Sequence, residues 1–81
     1  MRETILDRVL RGTADANIRF DDLRHLLISL KFSERIKGDH HIFTLPGVEE
    51  ILNIQPRGAL AKPYQVKQVR KIIVLYKLVE E

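Results

Sequence analysis

The 81-residue chain has no cysteine and no apolar run long enough to be a signal peptide or a membrane span. Without cysteine, neither a disulfide framework nor a thiolate metal site can support the fold, so its stability has to come from packing. The length allows one domain with a single modest core. Because the lack of cysteine also fits a reducing compartment, we expect residues 1–81 to form one soluble, cytoplasmic domain.

Several motifs of enzyme chemistry are also missing. No glycine-rich phosphate loop precedes a predicted helix, and no serine lies in a nucleophile-elbow pattern. The nearest set of metal-ligand types is Asp39, His40 and His41, which lacks the i, i+4 helical pair and the cysteine spacing of zinc proteins. The sequence therefore predicts no metal site and no other cofactor.

Acidic side chains are missing from most of the last third of the chain. Residues 1–50 carry eight basic and nine acidic side chains, whereas residues 51–79 carry six basic ones and no acid. These six residues are Arg57, Lys62, Lys67, Arg70, Lys71 and Lys77. Such a segment favours a polyanion such as nucleic acid, an anionic membrane surface or an acidic protein, although a simple solvated face has the same composition.

Two apolar patterns with helical period predict helices in the first third of the chain. The first pattern ends at Gly12, a residue suited to the left-handed cap of a helix. Its apolar residues are Ile5, Leu6, Val9 and Leu10. After the loop TADAN, Asp21 can cap a second helix, which we expect to bury a leucine stripe in the core. The stripe consists of Leu23, Leu26, Leu27 and Leu30.

The period changes to two in the middle of the chain, which predicts a small antiparallel sheet. FSERIK and HHIFTL flank Gly38 and Asp39, and a two-residue Gly-Asp connection is a strong hairpin signal. Pro46 and Gly47 suit the next turn, and VEEILNIQ alternates as a third strand. PRGALAK is expected to be a loop, after which Pro63 begins a helix that continues to near the C-terminus.

That last helix is predicted to have an apolar side and a basic side. The apolar side consists of Val66, Val69, Ile72, Ile73 and Tyr76. The basic stripe opposite consists of Lys67, Arg70, Lys71 and Lys77. Val74 and Leu78 fall inside the stripe, where exposure of apolar side chains to water is unfavourable. They therefore indicate a protein partner or an extra packing contact.

Two of the three histidines, His40 and His41, open the second predicted strand, where neighbouring side chains point to opposite faces of the sheet. Imidazole titrates near neutral pH, so it can take the proton of a ribose 2′-hydroxyl or donate one to a leaving oxygen. Basic side chains can hold phosphates and offset negative charge in the transition state. The pair and the basic segment together suit metal-independent RNA cleavage. His25, inside the second helix, is expected to be a structural or surface residue.

The stretch LRHLLISLKFSERIKGDHHIF resembles the opening of the HicA toxin family of bacterial ribonucleases. AKPYQVKQVRKII is similar to the closing helix of that family. The residues that match the family's Gly-Ser-His-His-hydrophobic-aromatic run are Gly38, His40, His41, Ile42 and Phe43. The match covers about residues 20–79, which leaves residues 1–18 as an N-terminal helical extension of a core formed by residues 19–81.

The resemblance implies an α+β fold like that of double-stranded-RNA-binding domains. Its order is α-β-β-β-α, with both helices on one face of a three-stranded sheet, here preceded by an extra helix. The implied activity is that of a toxin endoribonuclease that cleaves mRNA and is inhibited by a cognate HicB-type antitoxin, with a monomer expected when the protein is free. The catalytic role passes to His40, with His41 as second choice.

This chain departs from the family at two points. Asp39 stands where the family usually has serine, and Pro56, Arg57 and Gly58 stand where members often carry Pro-x-His. We expect Arg57 to replace part of that missing histidine. RNA contacts are predicted at Arg57, Lys62, Lys67, Arg70, Lys71 and Lys77.

Two other functions fit the same residues. A non-catalytic RNA-binding module of the same fold needs only the basic stripe, which can contact phosphates and 2′-hydroxyls. A small winged-helix-like DNA-binding domain would use the turn KGDHH as its wing, although a long C-terminal helix is less expected there.

Overall fold

The chain folds as a three-stranded antiparallel sheet with helices packed against one of its faces. The computed structural model describes residues 3–80. Its elements are α1 (Ile5–Arg11), a 3-10 helix (Asp15–Asn17), α2 (Phe20–Ser29), β1 (Ser33–Lys37), β2 (His40–Leu45), β3 (Val48–Ile54), β4 (Pro56–Arg57), β5 (Leu60–Ala61) and α3 (Pro63–Tyr76). The predicted α+β class and the α-β-β-β-α order are confirmed. Within residues 3–80, no helix is both long and apolar enough to cross a membrane.

The first two helices begin in different ways. Thr4 and Asp7 form a capping box at α1, in which each side chain accepts a hydrogen bond from the other residue's backbone N–H. Gly12 ends α1 in the left-handed conformation, at a φ of 75°, as predicted. The prediction that Asp21 caps α2 is wrong, because α2 already begins at Phe20 and Arg19 is its N-cap residue. Asp21 lies in the first helical turn, where a carboxylate still complements the helix dipole.

The sheet has the strand order β1-β2-β3, and its first hairpin turns at Gly38 and Asp39, as predicted. Gly38 has a φ of 63°, which favours glycine, and Lys37 pairs with His40 across the turn. The second turn lies at Pro46 and Gly47, also as predicted. The inner face of the sheet, which includes Phe43 and Leu52, is buried, whereas residues of the alternate set such as Thr44 and Ile51 are exposed.

The segment PRGALAK is not a loop, so this prediction is wrong. It forms the short hairpin β4–β5, in which Pro56 pairs with Ala61. The residues before α2 join it, because Arg19 forms a bridge with Leu60 and the Phe20 backbone N–H donates to the Ala59 carbonyl at 3.0 Å. Strands of two residues are too short to produce a period-two pattern, which is why the sequence did not reveal them. The hairpin ties the beginning of α2 to the chain that follows the sheet.

The core lies between the inner face of the sheet and the helices. The leucine stripe of α2 and the apolar side of α3 are buried as predicted, with Tyr76 half-buried and donating its hydroxyl to Glu50 at 2.6 Å. Val9 and Ile18 have no exposed surface, so the segment that contains α1 belongs to the same core. Leu78 packs against this core, whereas Val74 remains 62% exposed. The extra packing contact predicted for that pair is therefore made by Leu78.

Candidate functional site

The two adjacent histidines of β2 lie on opposite faces of the sheet, as the strand period predicts. His41 shares the inner face with the buried Phe43, and its cross-strand neighbours are Ile36 on β1 and Ile54 on β3. His40 lies on the outer face, where it pairs with Lys37 beside the hairpin turn. The same residue type therefore stands in two different surroundings only one position apart.

A cleft of about 340 Å³ opens beside His41, between the beginning of α2, the beginning of β2 and the β4–β5 hairpin. Its polar and aromatic lining comes from Arg19, Phe20, Asp21, Arg24 and His41. The bond from the Phe20 backbone N–H to the Ala59 carbonyl holds α2 against the hairpin and so fixes one wall. One histidine, two arginines and one aspartate therefore line the same cleft.

The His41 imidazole is held by a polar contact and an aromatic one. Its Nδ1 lies 2.8 Å from Oε2 of Glu34, and its ring meets that of Phe20 edge to face, with centroids 4.8 Å apart and an angle of 69° between the planes. The side chain is 16% exposed. Two contacts of different type leave the ring little freedom to rotate.

Glu34 is held in turn by the side chain of Arg24, which lies on α2. Nη2 of Arg24 donates to Oε1 of Glu34 at 2.8 Å, and Nε donates to Oε2. The hydrogen bonds from Arg24, aided by that from His41, hold the pKa of Glu34 below its usual range, although burial acts in the opposite direction. The same pairing raises the pKa of Arg24. At neutral pH this part of the site is an ionised pair in contact with an imidazole.

His40, the first choice from the resemblance, lies outside this cleft. Its side chain is 48% exposed, with Nδ1 3.0 Å from Oδ1 of Asn53 and Nε2 3.9 Å from Oδ1 of Asp39. Asp39 also accepts a hydrogen bond from Nε2 of Gln55 at 3.0 Å, which is the main cause of its lowered pKa. Oε1 of Gln55 accepts from Nζ of Lys62 at 3.3 Å. Lys62 is thereby brought to the same end of the sheet as His40.

The basic residues predicted to contact RNA do not share one role. Arg57, Lys67, Lys71 and Lys77 are exposed. Arg70 differs, because its guanidinium donates to both oxygens of Asp15, at 2.9 and 3.1 Å, and to the Val9 carbonyl at 3.0 Å. Its side chain is 23% exposed. Arg70 therefore attaches α3 to the N-terminal segment, whereas the exposed residues keep their charges toward solvent.

Four residues around His41 were not identified from the sequence, namely Arg19, Phe20, Arg24 and Glu34. One of them carries a usable signal, because the Gly-Asp turn sets the register of the hairpin. That register pairs Glu34 with Phe43, which places Glu34 diagonally beside His41 on the same face. The two arginines and Phe20 depend on how α2 packs, and no local pattern contains that information.

Fold and site together define a small α+β domain with a polar cleft built around one half-buried histidine. Among residues 3–80, no three His, Asp or Glu side chains come together in a way that could hold a metal ion. The chain matches no family model, no curated protein and no solved structure.

Proposed function

We propose that the protein is a cytoplasmic endoribonuclease of the HicA-like toxin type, which cleaves mRNA with His41 as its catalytic histidine. The observation that carries the proposal is that His41 and Arg19 line the same cleft. A general acid or base must reach its substrate, and a cleft with a nearby cation can bring a phosphodiester to the imidazole.

The proposed reaction is a transesterification within the RNA backbone. The neutral imidazole takes the proton of a ribose 2′-hydroxyl, and the 2′-oxygen then attacks the adjacent phosphorus. The bond from phosphorus to the 5′-oxygen of the next nucleotide breaks, and that oxygen takes a proton from water. The hydroxide left behind takes the proton from the imidazolium, which restores neutral His41. The products are a 2′,3′-cyclic phosphate and a 5′-hydroxyl end. Arg19 offsets the negative charge that the phosphorane gains in the transition state.

Basic residues outside the cleft supply the longer contact with the RNA. Arg57 lies on β4 in the hairpin that borders the cleft, and Lys62 lies at the same end of the sheet as His40. Lys67, Lys71 and Lys77 extend the basic surface along α3 and the turn after it. Such contacts bind phosphates without selecting bases, which suits an enzyme that cuts many messages. Arg70 is omitted from this set because Asp15 already neutralises it.

A ribonuclease that acts on cellular messages needs an inhibitor, and we propose a HicB-type antitoxin as the protein partner. The resemblance described above suggests this class of partner. The exposed face of α3 supports it independently, since Val74 and Leu75 are 62% and 58% exposed beside Lys67 and Lys71. Apolar side chains next to basic ones suit an acidic protein surface better than they suit a phosphate backbone.

The proposal is tested by replacing each histidine with glutamine and incubating the purified proteins with RNA in EDTA. Glutamine at position 41 can still donate to Glu34, so the half-buried carboxylate keeps a partner and the fold is preserved. We expect His41→Gln to slow cleavage by roughly 10²–10⁴-fold, whereas the matched variant His40→Gln stays within about threefold of the wild type. The cyclic phosphate at the new end is identified by mass spectrometry, and circular dichroism checks the fold.

Three outcomes would contradict parts of this proposal. A folded, inactive His40→Gln beside an active His41→Gln would transfer the catalytic role to His40. Full activity of both variants would remove histidine from the mechanism. RNA that is retained by the wild type but never cut would favour a non-catalytic RNA-binding module.

A further inference from the structure

We infer that Glu34 and Arg24 are positioning residues for His41. Glu34 keeps the proton of the neutral imidazole on Nδ1, so that Nε2 is the nitrogen that meets the RNA, and Arg24 keeps Glu34 in place. The inference rests on the proposed function of the cleft and adds two residues for which no sequence pattern indicates a role.

The choice of ring nitrogen follows from the partner of Nδ1. An ionised carboxylate can only accept hydrogen bonds, so the 2.8 Å contact between Nδ1 of His41 and Oε2 of Glu34 requires a hydrogen on Nδ1. The lone pair of the neutral ring then belongs to Nε2. The edge-to-face contact with Phe20 adds a second restraint on the ring. A histidine held in this way presents one defined nitrogen to a molecule in the cleft.

Arg24 contributes by restricting Glu34. Because it donates to both carboxylate oxygens, it fixes the plane of the carboxylate as well as its position. The Glu34 side chain is only 11% exposed, so water competes little for these bonds. The chain of contacts from Arg24 through Glu34 to His41 crosses from α2 to β1 and then to β2. It therefore makes the imidazole's orientation depend on the packing of the helix on the sheet.

The carboxylate also acts on the reaction itself. When Nε2 takes the proton of the 2′-hydroxyl, the imidazole becomes a cation, and the adjacent Glu34 carboxylate stabilises that cation. Arg19 and Asp21 are the other charged groups that line the cleft beside Arg24, and neither is bonded to the ring. Since Glu34 acts through His41 and does not touch the RNA, its loss should lower kcat and leave KM nearly unchanged.

The test combines nitrogen NMR of the imidazole with steady-state kinetics. In protein labelled with ¹⁵N-histidine, at a pH where the ring is neutral, wild-type His41 should carry its hydrogen on Nδ1. Glu34→Ala removes the acceptor, so we expect a mixture of both tautomers and a kcat about 10- to 100-fold lower. Glu34→Gln retains an acceptor oxygen without the charge, and we expect it to restore the Nδ1–H tautomer and part of the kcat.

Glu49→Ala is the matched control, because Glu49 is an exposed glutamate on β3 outside the cleft. It should change neither the tautomer nor kcat. A wild-type His41 with its hydrogen on Nε2 would overturn the inference, and so would a folded Glu34→Ala with wild-type tautomer and kcat. If the wild type cuts no RNA, the proposed function fails, while the NMR measurement still decides whether Glu34 sets the tautomer.

Discussion

At the scale of single residues, the surroundings of an imidazole decide what it can do. His40 and His41 are chemically identical and adjacent, yet their side chains are 48% and 16% exposed because a strand turns them to opposite faces. The outer histidine contacts Asn53 and the solvent, whereas the inner one contacts an ionised carboxylate and an aromatic ring. Only the inner histidine combines a fixed orientation with an open cleft.

The ion pair between Arg24 and Glu34 should make the fold sensitive to acid. The pKa of Glu34 is lower in the folded chain than in the unfolded one, so folding favours the ionised form. This contribution is complete above the unfolded pKa of about 4.3 and is lost as the pH falls through the folded value. We therefore expect the free energy of unfolding of the wild type to fall more steeply between about pH 5 and pH 3 than that of Glu34→Gln.

Urea unfolding at a series of pH values measures this difference. At neutral pH the Glu34→Gln protein should be less stable by about 1–3 kcal/mol, because Arg24 keeps only a neutral partner. The lowered pKa values of Asp7 and Asp39 affect both proteins equally and cancel in the comparison. Parallel curves across the acidic range would show that the pair contributes nothing to stability.

At the scale of elements, the sequence predicts what depends on local periodicity and turn chemistry. The Gly38-Asp39 turn, the leucine stripe of α2 and the start of α3 at Pro63 were all predicted and are confirmed. The cap at Asp21 was wrong because Arg19 is held in an extended conformation by the β4–β5 hairpin, which the sequence did not reveal either. The cleft beside His41 depends on this contact, so only its histidine could be identified from the sequence.

The basic residues of α3 should separate into a structural group and a binding group. Arg70→Ala removes the contacts to Asp15 and to the Val9 carbonyl, so we expect the free energy of unfolding to fall by about 1–3 kcal/mol. The double variant Lys67→Ala/Lys71→Ala changes only exposed residues, and its stability should stay within about 0.5 kcal/mol of the wild type. Urea unfolding of the two variants measures both effects.

RNA binding should show the opposite pattern, because we expect it to change in the double lysine variant and not in Arg70→Ala. Two phosphate contacts fewer should lower the slope of log K against log salt by roughly 1.4–1.8 for the double lysine variant. The slope for Arg70→Ala should remain that of the wild type wherever the protein stays folded. Fluorescence anisotropy with a labelled RNA at several salt concentrations gives both slopes. An unchanged slope for the lysine variant would exclude α3 from the RNA interface.

At the scale of the whole molecule, the segment before α2 is part of the structural unit. Val9 and Ile18 are fully buried, and Arg70 of α3 is bonded to Asp15 and to the Val9 carbonyl. Residues 1–18 lie outside the stretch that resembles the HicA family, and two of them, Val9 and Ile18, belong to the apolar core. The fold thus uses its N-terminal helix to cover part of α3 and leaves the opposite side of α3 exposed.

That exposed side of α3 is the surface on which we expect the protein partner. Tyr64 at one end is 64% exposed, Val74 and Leu75 at the other are 62% and 58% exposed, and Lys67 and Lys71 lie between them. If two copies of the chain paired through this face in antiparallel fashion, lysines would oppose lysines, which disfavours a homodimer. An acidic surface with apolar groups at its edges would neutralise the lysines and bury the exposed side chains.

Co-expression of the His41→Gln variant with the product of the adjacent reading frame tests this surface, because removing the proposed catalytic histidine lets cells tolerate the protein. We expect a stoichiometric complex to co-purify on size exclusion. Adding Val74→Ser and Leu75→Ser should weaken it at least about tenfold, because two apolar contacts at an interface are together worth more than about 1.4 kcal/mol. Ile51→Ser is the control, since Ile51 is equally exposed, at 62%, but lies on the outer face of the sheet. If Val74→Ser and Leu75→Ser leave the complex intact but Ile51→Ser weakens it, the partner binds the outer face of the sheet instead. If no complex forms at all, the result argues against an antitoxin.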